Sequence, residues 1–308
     1  MDLKEMLTLL RNQNVEVSLH LCHWNNTATK VTTVSPSIGS RLSNQIGEIV
    51  LNNVDQMSSM EQVEYNIIGG LDETVEVAKR KEYRNNIDLV IRSFSVPTQH
   101  FRFSPDNFDF FVYDIIYRDE HNEIKHIYAF KRTKKLSYLR KGFVGHVQSG
   151  TFSEFTDKDL IATDGTLDLI ISEDAVYIFQ HISFERMFHL KNGFIEGAEQ
   201  VLKSKELENT IDNFALLKQA ALDNANYVKR LAKLADGGDV ALFTRDLNAT
   251  EEVVKEFQLD IDVDVERGKI IYENEGQVGN FVKLMQDAYY KTLLGHRKGI
   301  DERNNIQQ

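Results

Sequence analysis

The first half of the chain has the hydrophobic pattern of β-strands. Over short segments, hydrophobic residues alternate with polar ones, or β-branched and aromatic residues run together, and polar turns separate these segments. The clearest case is a hairpin, in which the polar turn 119–123 joins two strands rich in aromatic residues. The predicted strands of this half are 15–22, 63–68, 108–118, 124–132, 167–171 and 176–180.

The second half of the chain changes to helical spacing. Hydrophobic residues recur every three or four positions over 211–234, which predicts one long helix, and a final helix is predicted over about 277–294. A short helix is predicted at 184–190. Another is predicted over 73–83, because Asp72 can cap its start and cations gather near its end. The fold class is therefore α+β, with an antiparallel β-rich first half and a helical C-terminal half.

Length and composition predict a soluble protein with two domains. The chain has 308 residues, of which 42% are hydrophobic and 27% charged. We expect an N-terminal α+β region at 1–104 and a second domain at 105–308, with β-hairpins over 108–180 and mainly helices over 181–308. The single cysteine, Cys22, fits a reducing compartment, and no apolar run approaches the roughly 20 residues that span a bilayer. A cytoplasmic location is expected.

Charge is distributed unevenly along this acidic chain. The net charge is −11, yet residues 79–141 carry 14 Lys and Arg against 8 Asp and Glu, a balance of +6 that leaves −17 elsewhere. Residues 125–141 contain seven cations and no acid, a pattern that favours phosphate binding, although a solvated basic turn would have the same composition. The candidate DNA-binding residues are Lys125, Lys131, Arg132, Lys134, Lys135, Arg140 and Lys141, together with a second cluster of Lys79, Arg80, Lys81 and Arg84.

Motifs for catalysis are few. The chain has no glycine-rich phosphate loop, no HExxH, no CxxC pair and no GxSxG. One alternative is a metal-dependent nuclease, in which Asp114 (or Asp109) and Glu123 hold Mg²⁺ and Lys125 polarises the phosphate. Glu123 and Lys125 sit at a turn, where charged residues are expected in any case. The sequence therefore predicts no catalytic residue, no metal site and no cofactor.

Two stretches and one short segment carry a family resemblance. They are TLDLIISEDAVYIFQHISFERMF (166–188), DAYYKTLLGHRKGI (287–300) and YAFKR (128–132). In order and context they resemble the KwaB-like family, which is named for the second component of the bacterial anti-phage system Kiwa. The resemblance covers roughly residues 105 to 300.

The resemblance implies a role in anti-phage defence. Members of this family are the cytoplasmic partners of a small membrane-spanning protein, KwaA, and respond to phage infection at the membrane. They are thought to bind DNA and to obstruct phage replication and transcription. The leading hypothesis is therefore a non-catalytic effector that binds DNA without sequence specificity, peripheral to the inner membrane through its partner.

Two alternatives and one expectation about assembly accompany this hypothesis. The alternatives are the nuclease described above and an adaptor whose basic face contacts an anionic lipid surface or an acidic partner. A homodimer or larger assembly is expected, because several weak basic faces bind one DNA more tightly than a single face does.

Overall fold

The computed structural model describes residues 1–12, 15–25, 27–96, 108–133, 145–148, 151–154, 163–235, 237 and 239–301. The chain divides into two compact units. The first comprises Met1–Tyr65 and Leu71–His189, and the second comprises Asn66–Gly70 and the chain from Leu190 onwards. This division does not coincide with the predicted boundary at 104/105.

An eight-stranded sheet forms the centre of the first unit. Its order from edge to edge is β2-β1-β5-β6-β9-β10-β4-β3, and every neighbouring pair is antiparallel except β3 with β4. Because β1 pairs with β5, the N-terminal region and the central hairpin belong to one sheet, which explains the unit boundary. The strands are β1 (Glu16–Trp24), β2 (Val31–Val34), β3 (Glu61–Glu64), β4 (Thr74–Lys79), β5 (Phe110–Arg118), β6 (Ile124–Arg132), β9 (Leu169–Ile171) and β10 (Ala175–Ile178), and a separate pair consists of β7 (Gly145–Gln148) and β8 (Thr151–Glu154).

Helices cover both faces of the sheet. On one face, α1 (Leu3–Asn12) and α2 (Ser40–Ser58) bury an apolar stripe against the strands. On the other face lie α3 (Arg84–Ser93) and α4 (His181–Met187). Just after α4, the ring of Phe188 contacts Phe130 of β6 at 5.5 Å between centroids. The hydrophobic contacts of both faces make the sheet a rigid base for charged residues at its margins.

The predicted hairpin is confirmed, and the residues of its turn explain why the sequence predicted it. The Asp119 carboxylate accepts hydrogen bonds from the main-chain N–H groups of His121 and Glu123. Asn122 takes a left-handed conformation (φ 62°), which Asn tolerates better than most residues. β5 and β6 then pair along their whole length.

The helix predicted over 73–83 is wrong. Residues 74–79 form β4, which pairs with β3 on one side and β10 on the other, and a 3₁₀ turn follows at Arg80–Tyr83. In the segment TVEVAK, Val75, Glu76 and Ala78 are buried, so both faces of β4 are covered. Pairing within the sheet outweighs the helix-end signals of Asp72 and the cations.

The second unit is mainly helical, which confirms the α+β class. Asn224 interrupts the predicted helix 211–234, because its side chain accepts the N–H groups of Asn226 and Tyr227 and so starts a new helix. The predicted final helix ends at Met285, and a hairpin follows it. The elements are α5 (Lys191–Val201), α6 (Lys205–Thr210), β11 (Ile211–Asp212), α7 (Phe214–Leu222), α8 (Ala225–Leu234), α9 (Leu242–Arg245), α10 (Leu247–Phe257), β12 (Asp262–Asp264), β13 (Lys269–Ile271), α11 (Val278–Met285), β14 (Tyr289–Lys291) and β15 (Lys298–Ile300).

Candidate nucleic-acid interface

The basic segment 125–141 is only partly within the described residues. Lys125, Lys131 and Arg132 lie on β6. The other four candidates of this segment, namely Lys134, Lys135, Arg140 and Lys141, lie outside the described residues.

Carboxylates surround Lys125 at the start of β6. Its ammonium lies 3.2 Å from Glu123, 3.8 Å from Glu173 and 3.9 Å from Asp119. The hydrogen bond to Glu123 and the charge of Glu173 raise the pKa of Lys125. Three acids around one cation leave this corner of the sheet negative, so Lys125 is poorly placed to attract a phosphate.

Lys131 is a correction to the predicted DNA-binding set. Its side chain is buried, with only 5% of the residue exposed. Its ammonium lies 2.8 Å from Asp164 and 3.5 Å from Asp168. Alternation along β6 turns this residue into the face that α1 and α2 cover. A buried lysine that is paired with two carboxylates serves the fold and does not reach DNA.

Arg132 ends β6 at a partly exposed position. Its main-chain N–H donates to the Asp168 carboxylate at 2.7 Å. Asp168 therefore contacts both Lys131 and the end of the strand, and it fixes the point at which the basic segment leaves the sheet.

The second predicted cluster lies around the start of α3. Residues 79–93 carry five cations and only two acids, Glu82 and Asp88. We call the following residues the basic surface: Lys79, Arg80, Lys81, Arg84 and Arg92.

Three arginines of the basic surface share one carboxylate. Asp88 lies 3.6 Å from Arg80, 3.1 Å from Arg84 and 3.8 Å from Arg92. Arg84 and Arg92 stand one turn before and one turn after Asp88, on the same side of α3. A single carboxylate neutralises one of three guanidinium groups, so the cluster keeps a net positive charge.

The outer arginines are open to solvent. The side chains of Arg84 and Arg92 are 72% and 78% exposed, whereas that of Asp88 is 20% exposed. Lys81 is also exposed. Arg80 is held more firmly, because its guanidinium also donates to the Ser172 carbonyl at 3.1 Å. The arrangement is a partly buried acid beneath exposed arginines, which suits contact with an anion outside.

The residues of the nuclease alternative do not come together. In the β5–β6 register Asp114 is opposite Tyr128, whereas Lys125 is opposite Tyr117. Asp114 and Tyr117 are three positions apart on β5, so their side chains point to opposite faces of the sheet. Lys125 is opposite Tyr117 and therefore lies on the other side of the sheet from Asp114. Asp109 is engaged elsewhere, since its carboxylate accepts the Trp24 N–H at 2.8 Å. Within the described ranges, no group of three His, Cys, Asp or Glu side chains is placed to hold a metal ion.

Asp114 is a buried carboxylate between two histidines. One oxygen lies 2.8 Å from His126 Nδ1 and the other 3.8 Å from His20 Nε2. The His126 ring stacks on Tyr128, and burial, together with the Asp114 charge, raises the pKa of Tyr128 to about 12. These contacts account for Asp114 as a structural group of the sheet.

Comparison with known protein families tests the resemblance that the segments 128–132, 166–188 and 287–300 carry. The family model described as Kiwa protein KwaB-like matches residues 105–295, which is more than half of the chain. The chain belongs to the Kiwa KwaB-like family. No curated protein and no solved structure matches it.

Membership of the family gives the general role of the chain, but it carries no information about the basic surface. The family places the chain in Kiwa anti-phage defence, where KwaA is a plausible partner. The matched range begins at residue 105, so it includes β5 and β6 but not the basic surface at 79–92. None of the helices in the described ranges is long and apolar enough to cross a membrane.

Arg92 is a residue of the basic surface that the candidate set from the sequence lacks. The sequence pattern over 87–94 fits either a helix or a strand. Once the segment is a helix, the spacing Arg84, Asp88, Arg92 places all three side chains on one face. This spacing in the sequence could have identified Arg92, but only if the segment had first been recognised as a helix.

Proposed function

We propose that this chain is the DNA-binding effector of Kiwa defence and that its basic surface contacts DNA phosphates without reading sequence. The observation that carries the proposal is the sharing of Asp88 by three arginines, two of which are exposed. The four candidates at 134–141 are proposed as a second contact region on composition alone.

The spacing of the exposed arginines suits a phosphate backbone. Arg84 and Arg92 are eight residues apart on α3, which corresponds to about 12 Å along the helix axis. One strand of duplex DNA advances about 3.4 Å per phosphate along its axis, so this distance spans roughly three to four phosphates. One guanidinium group can donate two parallel hydrogen bonds to the oxygens of one phosphate, and this contact does not depend on the DNA sequence.

The proposal is for binding rather than for catalysis. It is supported by the separation of Asp114 from Lys125 across the sheet. Bound protein would block polymerases by occupancy, which needs no bond cleavage.

Incubation of the full chain with plasmid DNA and Mg²⁺ or Mn²⁺ tests binding against cleavage. We expect retarded but intact plasmid. Cleavage that Glu123→Ala abolishes while DNA affinity is unchanged would replace this proposal with the nuclease. Anionic liposomes added as competitors test the adaptor alternative, because displacement of DNA by liposomes at equal charge concentration would favour a lipid ligand.

Two features of the assembly are also proposed. A membrane-spanning partner, KwaA, would hold the protein at the inner membrane, and self-association into a homodimer or larger would increase avidity for DNA. Light scattering tests the second feature, since a mass near 35.5 kDa at micromolar concentration would contradict it.

A further inference from the structure

β3 forms one edge of the large sheet, and among the described residues no strand pairs with its outer side. Its inner side pairs with β4. The Tyr65 N–H donates to the Val77 carbonyl of β4 at 3.0 Å. Because successive residues direct their main-chain groups to opposite sides, Gln62 and Glu64 direct theirs away from β4. Both residues are exposed, so this edge can accept another strand.

A cavity of about 430 Å³ lies beside the β3 edge, between β3, β4, the 3₁₀ turn and the β9–β10 turn. Tyr65 and Tyr83 form its aromatic part, with ring centroids 5.9 Å apart in an edge-to-face arrangement. The charged residues of its lining are three acids and one lysine, namely Glu64, Glu82, Asp174 and Lys79.

Neighbouring contacts hold the Tyr65 ring in place. Its hydroxyl donates to Glu185 at 3.3 Å, and its ring stacks on His181 at 5.2 Å between centroids. Burial and the charge of Glu185 raise the pKa of Tyr65, so the hydroxyl stays neutral and keeps donating. The His181 ring already covers one face of Tyr65, so it is the three carboxylates of the lining that favour an ammonium or guanidinium group in the cavity.

Lys79, the lysine of the cavity, is only weakly held beside these carboxylates. Lys79 lies 3.9 Å from Glu82, and both side chains are more than half exposed. Such a surface pair contributes little, so an incoming cation can replace Lys79 beside Glu82.

We propose that β3 and this cavity form a docking site for an extended, basic peptide segment of a partner protein. The segment adds as a strand outside β3, and a Lys or Arg side chain enters the cavity between the tyrosines and the carboxylates. Main-chain pairing supplies affinity and the cavity supplies selectivity, as in other cases of strand addition. The site shares Lys79 with the basic surface, but peptide binding at β3 does not depend on DNA binding.

A labelled peptide of eight residues, alternating Lys or Arg with Val, is the probe. Fluorescence anisotropy with the full chain should show saturable binding. Gln62→Pro should weaken it by about tenfold or more, because the substitution removes an outward N–H that the added strand needs. Proline is tolerated at the solvent side of an edge strand, so β3 itself should remain paired. Gln62→Ala is the matched control and should bind as the parent does.

The charge requirement is tested separately. Glu64→Gln combined with Glu82→Gln should weaken the basic peptide, and a peptide with Glu in place of each Lys and Arg should not bind. Hydrogen exchange at the Gln62 and Glu64 amides should slow in the complex.

Three results would overturn the proposal. They are parental affinity in Gln62→Pro, equal binding of the acidic peptide, and full displacement of the peptide by millimolar methylguanidinium, which would indicate a small-cation pocket. DNA affinity should stay unchanged in Gln62→Pro, which keeps this test distinct from that of the proposed function.

Discussion

The Lys131 ammonium lies 3.5 Å from a carboxylate oxygen of Asp168, and both residues are 5% exposed. Together with Asp164, whose side chain is 39% exposed, they form a partly buried ion cluster where β6 meets the segment before β9. Sequence alone places Lys131 in a run of DNA-binding cations. The structure gives it a role in stability instead.

Removal of this cation should destabilise the first unit. Lys131→Met leaves the buried Asp168 carboxylate without its cationic partner, and we expect the free energy of unfolding to fall by about 3 kcal/mol or more. The emission of Trp24, the only tryptophan and itself buried, reports the transition in urea. Lys30→Met, at an exposed lysine, is the control and should change stability by less than about 0.5 kcal/mol. Equal stability of the two variants would contradict the partly buried ion cluster.

Stability should also depend on pH through His181. Its Nδ1 lies 2.7 Å from Glu76 and its Nε2 lies 3.0 Å from Glu185. Burial lowers the pKa of His181, but the two carboxylates raise it by more, and the net result is a pKa of about 9.

Because the folded pKa of His181 lies above the ordinary value of 6.5, its contribution is complete below pH 6.5 and is lost as the pH rises through about 9. Urea unfolding between pH 6 and pH 9.5 measures this loss. His181→Gln should flatten the curve over this window, whereas His121→Gln, at an exposed turn residue, should keep the parental slope. Parallel curves for the parent and His181→Gln would refute the assignment.

The Cys22 thiol should be unreactive in the folded protein. It is fully buried, and burial raises its pKa to about 12, so almost no thiolate exists at pH 8. A disulfide reagent such as Ellman's should label it only after unfolding in urea. Since the chain has one cysteine, stoichiometry is read directly, and labelling within seconds in buffer would show that the site is open.

Local patterns predicted the elements whose stability is mainly local. The hairpin of β5 and β6 was predictable because aromatic and β-branched runs flank a turn that Asp119 and Asn122 fix by their own chemistry. The segment 73–83 was not, because its β-strand depends on β10, about a hundred residues away. The break at Asn224 was hidden since the hydrophobic spacing continues across it.

The charges show the same limit for the candidate site. Lys131 looks free in the sequence, yet its partners Asp164 and Asp168 lie 33 or more residues further along the chain. Lys125 has the local partners Asp119 and Glu123, but its third partner, Glu173, is likewise distant in sequence. The cluster at 79–84 is a local excess of cations that the sequence alone shows, and its role in binding stays a prediction. Its extension to Arg92 needed the helix.

The exposed cations at the start of α3 should matter more to DNA than Lys125 does. Lys125→Ala should leave DNA affinity within about twofold, because three carboxylates already balance this charge. Lys81→Ala should weaken every DNA sequence alike, as expected for a phosphate contact. A gel-shift titration with two unrelated duplexes of equal length measures the DNA affinity of both variants. A larger loss of affinity in Lys125→Ala than in Lys81→Ala would instead place the DNA interface at the β5–β6 turn.

The salt dependence of DNA affinity tests the central claim most directly. The slope of log affinity against log salt, measured from 50 to 200 mM, should be lower by about two in Arg84→Ala/Arg92→Ala than in the parent, because each phosphate contact adds about 0.9. Lys191→Ala/Lys203→Ala removes two exposed cations of the second unit and should keep the parental slope. If the arginine variant stays folded and keeps the parental slope and affinity, the basic surface does not bind DNA. A loss of slope in Lys134→Ala/Lys135→Ala alone would then assign the contacts to the segment 134–141.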